Sequence, residues 1–401
     1  MYNLQKTMPF NLTLGDLVLS TSQALDLANP AVFKHSMRVA AIAAQLASEL
    51  ELDDENYKNI IFPALLHDSG ISSSEMKMSA LQFDLGEEAQ KHCIDGYNLF
   101  KDSEHLSFIA PIILHHHNHW EKVGNGSIST SSPEFLGNLI HLADRIEISI
   151  NRNENILLQK DKITSLINEK NGTVFSPLLV DSFLNVSRRE SFWLNIESEF
   201  GLETMTNLLR SYNIYLTLPQ IRDFAQIFAD IVDRKSSFTY RHSQGVAATA
   251  ISLAQQIGFS PQEILKMEIA GLLHDLGKLS IPDYILEKPD KLNEEEMLIM
   301  KQHTFYTYHL LTSIDAFKEI GEWGAFHHEK LNGKGYPFGL TAPELPLGAR
   351  IMAVSDIYQA LREERPYRAP LPVEKSFSIL KDMVEKGEID GFVVEKLRET
   401  V

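Results

Sequence analysis

The chain has 401 residues, a length that suggests two or three domains, each able to bury its own core. Hydrophobic residues make up 44% and charged residues 23%, the balance of an ordinary globular protein. A formal net charge of −17 argues against a surface that grips long nucleic acid by counterion release. A small anionic ligand stays allowed, because local cations or a metal override the global field. Cys93 is the sole cysteine, which excludes an intrachain disulfide and fits a reducing compartment. The opening MYNLQKTMPF lacks a signal-peptide pattern, and no apolar run reaches bilayer length. The chain therefore reads as cytoplasmic, with no membrane and no long nucleic acid among its partners.

In chain order, VAAIAAQLASEL (39–50) combines strong helix formers with apolar positions at helical spacing. Residues 151–214 contain a turn-rich stretch, NEKNGTVFSP (168–177), followed by a helical extension with Phe183, Phe192 and Trp193 as core anchors. Arg188 and Arg189 there read as solvated or ion-paired surface. Over 260–275, Ser260 is placed to cap a helix, Pro261 to start it and Glu263 to close a capping box, with Gly277 as the stop. A further helix is predicted after Asn293, with Glu296 in its capping box, carrying His303. Strand-like alternation is scarce, so the predicted fold class is all-α.

An internal repeat organises the chain. FKHSMRVAAIAAQLA (33–47) aligns with YRHSQGVAATAISLA (240–254), and ALLHDSGI (64–71) with GLLHDLGK (271–278), both at an offset of 207 residues. His92 then aligns with His303, and His116-His117 with His327-His328, at 211; Asp144 aligns with Asp356 at 212. Two helical domains in tandem follow, over residues 1–214 and 215–401.

The repeated residues carry the chemistry. His242, His274, Asp275, His303, His327, His328 and Asp356 are too many ligands for one ion and enough for two, with a carboxylate as the natural bridge. Imidazole and carboxylate suit borderline first-row metals such as iron, manganese, nickel or zinc. Two such ions at close range lower the pKa of a bridging water to give hydroxide, and clamp a phosphate for in-line attack. Lys278, three residues beyond Asp275, is placed to neutralise charge on the phosphoryl oxygens.

HSQGVA, LLHDLGK, His303, HHEKLNGKGYP (327–337) and VSDIYQALREERPYR (354–368) resemble the HD-GYP family, a branch of the HD metal-dependent phosphohydrolases. The resemblance runs from about Asp233 to the end. It implies a cyclic dinucleotide phosphodiesterase of bacterial second-messenger signalling. The expected substrate is cyclic di-GMP, cut at a 3′–5′ phosphodiester bond to linear pGpG, with further cleavage to GMP left open. It implies two divalent ions, iron first, with manganese or nickel as alternatives. His242, His274, Asp275 and Asp356 would hold one, and Asp275 would bridge to a second completed by His303, His327 and His328. His274, Asp275 and Lys278 are thereby the catalytic set. Lys278, Arg365 and Arg368 would hold substrate phosphates, and Gly335, Tyr336 and Pro337 would form a loop for substrate access or protein partners. Asn332 stands where the family commonly has Asp, with similar turn geometry expected. Phe238 stands where some members place an acidic ligand to a third ion, which favours two. Asp233 or Asp230 is the fallback for a third.

The first half repeats the ligand order in His35, His67, Asp68, His92, His116, His117 and Asp144, so a second metal site is expected. Its phosphate-handling groups are missing. Ile71 stands at the position of Lys278, EKVGNGS (121–127) replaces the GYP region, and Asn153 and Ile156 fall at Arg365 and Arg368. A regulatory or structural domain that keeps its metal is the favoured reading over a second hydrolase. His115 and His119 read as bystanders and Cys93 as a packed thiol. Two alternatives to cyclic di-GMP hydrolysis stand beside it: a cyclic GMP-AMP phosphodiesterase, and a non-catalytic nucleotide-sensing or partner-binding scaffold. The complete ligand set, Lys278 and GYP argue against the scaffold. The sequence leaves a homodimer open.

Overall fold

The computed structural model describes residues 10–27, 34–71, 87–123, 128–212, 214–235, 242–364 and 369–401. It is built of helices, with no β-strand among the described residues, as the all-α reading expects. No helix there is long and apolar enough to cross a membrane. The chain divides into two compact units, one of residues Leu14–Asn213 and one of Ile214–Val401 together with Met1–Thr13. Thr13 pairs with Tyr215, and the Phe10 amide donates to the Leu216 carbonyl.

The first unit contains α1 (Leu14–Leu27), α2 (His35–Glu49), α3 (Asp54–Leu66), α4 (Glu87–Phe100), α5 (Ala110–His115) and α6 (Pro133–Ile148). Asp53 caps α3 through the Asn56 amide, and Ser132 caps α6 ahead of Pro133. Such caps contribute about 1 kcal/mol each. Helix α2 packs on α3 and α6, and α4 packs on α5 and on the 3₁₀ turn His67–Gly70. The extension follows as α7 (Ile156–Asn168), α8 (Pro177–Val186), α9 (Glu190–Glu197) and α10 (Glu199–Ser211). Helices α8, α9 and α10 each pack on α2. Phe183, Phe192 and Trp193 are buried as expected, with the Trp193 indole donating to the Ser187 carbonyl at 2.8 Å. Arg189 pairs with Glu49 at the surface.

The second unit repeats the plan. It runs α11 (Leu218–Arg234), α12 (His242–Ile257), α13 (Pro261–Leu273), α14 (Asp283–Leu286), α15 (Glu294–Met300), α16 (Gln302–Thr312), α17 (Lys318–Ala325), α18 (Leu347–Arg362), α19 (Val373–Glu385) and α20 (Gly391–Thr400). Helix α12 packs on α13 and α18 as α2 packs on α3 and α6. The predicted Ser260–Glu263 and Asn293–Glu296 capping boxes both form.

Two details differ from the sequence reading. The helix after Asn293 stops at Met300, and His303 sits in the first turn of the next helix. There the His303 ring donates to the Met300 carbonyl at 2.6 Å, a local bond that competes with the helical ladder. Gly277 does not act as a left-handed helix stop, since α13 already ends at Leu273 and the chain tightens into a 3₁₀ turn over Leu276–Ser280. Glycine is required at 277 for close approach: a Cβ there would lie 2.0 Å from the His303 carbonyl oxygen. Gly70 plays the same part against the His92 carbonyl, also at 2.0 Å. In each unit a glycine lets the turn after the His-Asp pair touch the helix that carries the third histidine.

Candidate metal centre

The packing of helix ends gathers the seven ligand candidates of the second unit. His242 opens α12, His274 and Asp275 follow α13, His303 opens α16, His327 and His328 close the turn after α17, and Asp356 faces them from α18. His242 Nε2 lies 3.2 Å from Asp356 and 3.9 Å from Asp275. Asp275 also lies 3.1 Å from His274, 3.5 Å from His303 and 3.9 Å from His327. His328 stands 4.0 Å from Asp356. Asp275 is thus central, and all but His328 are buried. The seven divide into overlapping groups with metal-like spacing: His242, His274 and Asp356; His274, Asp275 and His327; His303, His327 and His328.

Ring orientation tests whether an ion fits. His274, His303 and His327 each direct Nδ1 at the carbonyl three residues earlier, at 2.8, 2.6 and 2.7 Å. A carbonyl only accepts, so Nδ1 carries a proton in each, and wherever the ring is neutral Nε2 is left with the lone pair. Yet His303 Nε2 faces His327 Nε2 at 3.4 Å, and His274 Nε2 and Asp275 Oδ1 are buried without a hydrogen-bond partner. Two facing lone pairs in a buried site beside an unsatisfied carboxylate oxygen are the donor set of a bound cation. Burial drives His303 down to about 3 despite Asp275, and burial with His328 and His274 drives His327 well below its ordinary range. Both rings stay neutral. Burial would raise Asp275, but His274 and Lys278 outweigh it and hold the carboxyl well below normal.

His242 is held differently. Its Nδ1 meets Glu363 at 2.9 Å, and Gln359 donates to the other Glu363 oxygen at 2.7 Å. Burial opposes the charged ring, but Asp356 and Glu363 raise it to about 9. Lys278 Nζ donates to Asp275 Oδ2. The turn that carries it is pinned by Lys235, whose buried ammonium donates to the Leu279 and Ile281 carbonyls at 2.6 and 2.8 Å. Asp233 bonds the Ser243 hydroxyl at 2.9 Å, beside His242. Arg365, Arg368 and Phe238 lie outside the described residues.

The GYP loop folds over this centre. Tyr336 packs its ring 4.9 Å from His328, and its amide donates to the His328 carbonyl. Gly335 is obligatory, since a Cβ would come within 2.4 Å of the Glu329 backbone. Glu329 is buried, and its carboxylate accepts from the amides of Phe338, Gly339 and Leu340, which fixes the backbone just after Pro337. Asn332 accepts from the Lys334 amide across a turn whose Gly333 has φ 74°, so Asn serves there as expected. Sequence reading assigned no role to Glu329, Lys235 or Glu363; a carboxylate next to His-His was the available signal for the first.

The first unit assembles the same set. His35 Nε2 lies 3.4 Å from Asp144 and 3.8 Å from Asp68, while His67 and His92 lie 3.4 and 3.8 Å from Asp68. His92 Nε2 faces His116 Nε2 at 3.1 Å, with His116 Nδ1 on the Ile113 carbonyl. His117 lies beside both, its ring 4.9 Å from His92 and 4.1 Å from His116. Glu147 orients His35 through Nδ1 at 2.7 Å. Cys93 Sγ lies 3.5 Å from His116 Nδ1, and burial with Asp68 pushes the thiol up; at the same time Cys93 stands with His92, His116 and His117 at a spacing that could hold an ion. His115 bonds Asn118 and faces Glu134 away from the cluster. His119 stacks on His141.

Helical domains that converge histidines and aspartates in this order define a metal-dependent phosphohydrolase of the HD type. Residues 32–149 and 226–393 each match a family model described as an HD domain. Over 395 residues the chain is 31% identical to 3′3′-cGAMP-specific phosphodiesterase 1 of Vibrio cholerae, covering 96% of this chain and 91% of that protein. A cyclic di-GMP phosphodiesterase of Thermotoga maritima is 35% identical over 173 residues, 42% of this chain and 47% of that one. A crystal structure of a cyclic GMP-AMP-specific phosphodiesterase from V. cholerae shares the fold, with a TM-score of 0.67 at 24% identity over 96% of this chain and 97% of that one. The chain belongs to the HD-GYP family of cyclic dinucleotide phosphodiesterases, with a second HD domain ahead of the HD-GYP domain.

Proposed function

We propose that the second unit hydrolyses a 3′–5′ phosphodiester bond of 3′3′-cyclic GMP-AMP with two divalent ions. His242, His274, Asp275 and Asp356 would hold one ion; Asp275, His303, His327 and His328 would hold the other. The facing Nε2 lone pairs of His303 and His327 are the observation that carries the metal assignment. An ion pair in that position supplies an activated water and a clamp for the phosphate. The protein's own groups do the rest. The Nδ1-to-carbonyl bonds keep the donor nitrogens aimed inward. Lys278, partly exposed beside Asp275, can swing onto a phosphoryl oxygen as negative charge develops. Tyr336 walls the site next to His328, within a loop held by Glu329. Arg365 and Arg368 retain their expected role on the substrate phosphates. Iron is the first candidate metal, then manganese or nickel, since imidazole with carboxylate suits all three.

Cyclic GMP-AMP is placed ahead of cyclic di-GMP, reversing the order read from the sequence. The reason is that the Vibrio relative that acts on it aligns through both HD domains. Cyclic di-GMP is the second reading, favoured by a relative that matches less than half of the chain. The protein, purified anaerobically and loaded with iron or manganese, should convert cyclic GMP-AMP to a linear dinucleotide faster than it converts cyclic di-GMP. Turnover of neither by the loaded protein would sink the enzyme assignment; faster cyclic di-GMP turnover would restore the second reading.

A further inference from the structure

Position 93 follows the third histidine of the first unit, and the offset of 211 residues places Thr304 there in the second. The Thr304 hydroxyl donates to the Lys301 carbonyl one turn back, at 3.1 Å. The Cys93 thiol is buried against the His116 ring, with Sγ 3.5 Å from Nδ1. That nitrogen gives its proton to the Ile113 carbonyl at 2.6 Å, so it cannot accept from the thiol. His116 Nε2 is left for the cluster, where His92 Nε2 faces it at 3.1 Å. The backbone amides of His117 and of Cys93 itself donate to Sγ, as outer partners do to a metal-bound thiolate. Cys93, His92, His116 and His117 offer ligand atoms that all lie within 4.8 Å of one another.

His117 gives an independent sign of a bound ion. The residue is 5% exposed, and both of its ring nitrogens are buried without a hydrogen-bond partner. A neutral imidazole has one proton to place and one lone pair to fill, and leaving both unmet in a dry interior is costly unless a cation takes the lone pair. The surroundings are also closed. His141 packs its ring 5.1 Å from His117, where the aligned residue of the second unit is Ala353. His328, the counterpart of His117, keeps 31% of its side chain exposed.

We propose that Cys93 joins His92, His116 and His117 as the fourth ligand of a structural zinc ion in the first unit. One thiolate and three imidazoles complete a tetrahedral shell and leave no place for an activated water, whereas a catalytic centre keeps a position open. Thiolate also turns the preference away from manganese and toward zinc. Binding exchanges the S–H bond for an S–Zn bond, and the proton passes to solvent. Cys93 is then a ligand and not the packed thiol expected from the sequence. The catalysis proposed for the second unit does not depend on it.

Cobalt reports on the bond directly, because a cobalt–thiolate pair gives a near-ultraviolet charge-transfer band and Cys93 is the sole cysteine of the chain. The full chain, produced in cobalt-supplemented minimal medium, should show that band, and Cys93→Ser should abolish it. In chains carrying His274→Ala with Asp275→Ala, Cys93→Ser should weaken zinc retention against a chelator by more than about 100-fold, beyond the 10- to 100-fold typical of an outer partner. X-ray absorption at the zinc edge, with Cys93 in place, should find a sulfur neighbour among the nitrogens. A cobalt-filled chain without the sulfur band overturns the inference. So does a first unit that takes up no zinc, or a folded Cys93→Ser chain that keeps its zinc affinity. If Cys93→Ser fails to fold, the zinc-edge spectrum decides alone. Cyclic dinucleotide hydrolysis without the sulfur band strikes this inference and spares the proposed function; the band in a chain that hydrolyses neither substrate does the reverse.

Discussion

The two HD units show how one ligand plan can be kept while its chemistry is divided. Both bring five histidines and two aspartates together at helix ends, aim the imidazoles by carbonyl bonds, and use a glycine to seat the His-Asp turn. They part at the cations. The second unit has a partly exposed lysine, Lys278, at the rim beside Asp275. The first has Ile71 there and a buried arginine, Arg145, on Asp144. A cation at the rim can meet a phosphate as charge develops, whereas one sealed inside is engaged with the protein's own groups. Ligand sets alone therefore do not say which copy is catalytic.

The sharpest way to break this contrast is the paired deletion. His274→Ala with Asp275→Ala should lower cyclic dinucleotide hydrolysis by at least about 10⁴-fold, since both proposed ions would lose ligands. His67→Ala with Asp68→Ala should retain activity within about tenfold in the same assay. The reverse ranking would transfer catalysis to the first unit. Next comes Lys278→Ala, expected to cost about 10² to 10³ in kcat with metal content unchanged, the scale of one lost charge-stabilising donor. A loss confined to KM would instead make Lys278 a ground-state binding group.

Smaller effects test the carboxylates behind the histidines. Glu363→Gln should weaken metal binding in the second unit by about 10- to 100-fold, and Glu147→Gln should do so in the first. Competition with a chelator, read by elemental analysis, would show either. pH follows from the same contacts. His242 and His35 are each raised to about 9, so at neutral pH the metal-free rings hold a proton that binding must displace. Apparent affinity should rise with pH, about tenfold per unit for one displaced proton, and level off near pH 9. A flat titration would mean that these rings are not ligands. Last, Ser260→Ala should lower stability by about 1 kcal/mol through loss of the α13 cap, read in a denaturant melt with activity retained.

Much of this was legible beforehand because the histidine ladder is a repeat, and a repeat exposes spacing that a single copy hides. The predicted caps formed because Ser260 and Asn293 act on neighbours three residues away. What escaped depends on space. Gly277 looked like a helix stop, but its reason is a carbonyl belonging to residue 303. Arg145 received no reading from the sequence; its burial on Asp144 is visible only in the fold. Lys235 acts on carbonyls more than forty residues ahead, beyond the reach of local pattern.

The carboxylates on His35 and His242 have a wider meaning. Glu147 lies three residues after its aspartate, on the same helix, whereas Glu363 lies seven after its own, just beyond the end of α18. The two do not occupy one column of any alignment of the halves. The imidazole nevertheless receives the same proton acceptor in each. Within a single chain the same interaction is made from two positions about a helical turn apart, by Glu147 on His35 and by Glu363 on His242. The histidines recur by position along the sequence, whereas the carboxylate behind the first of them recurs by contact.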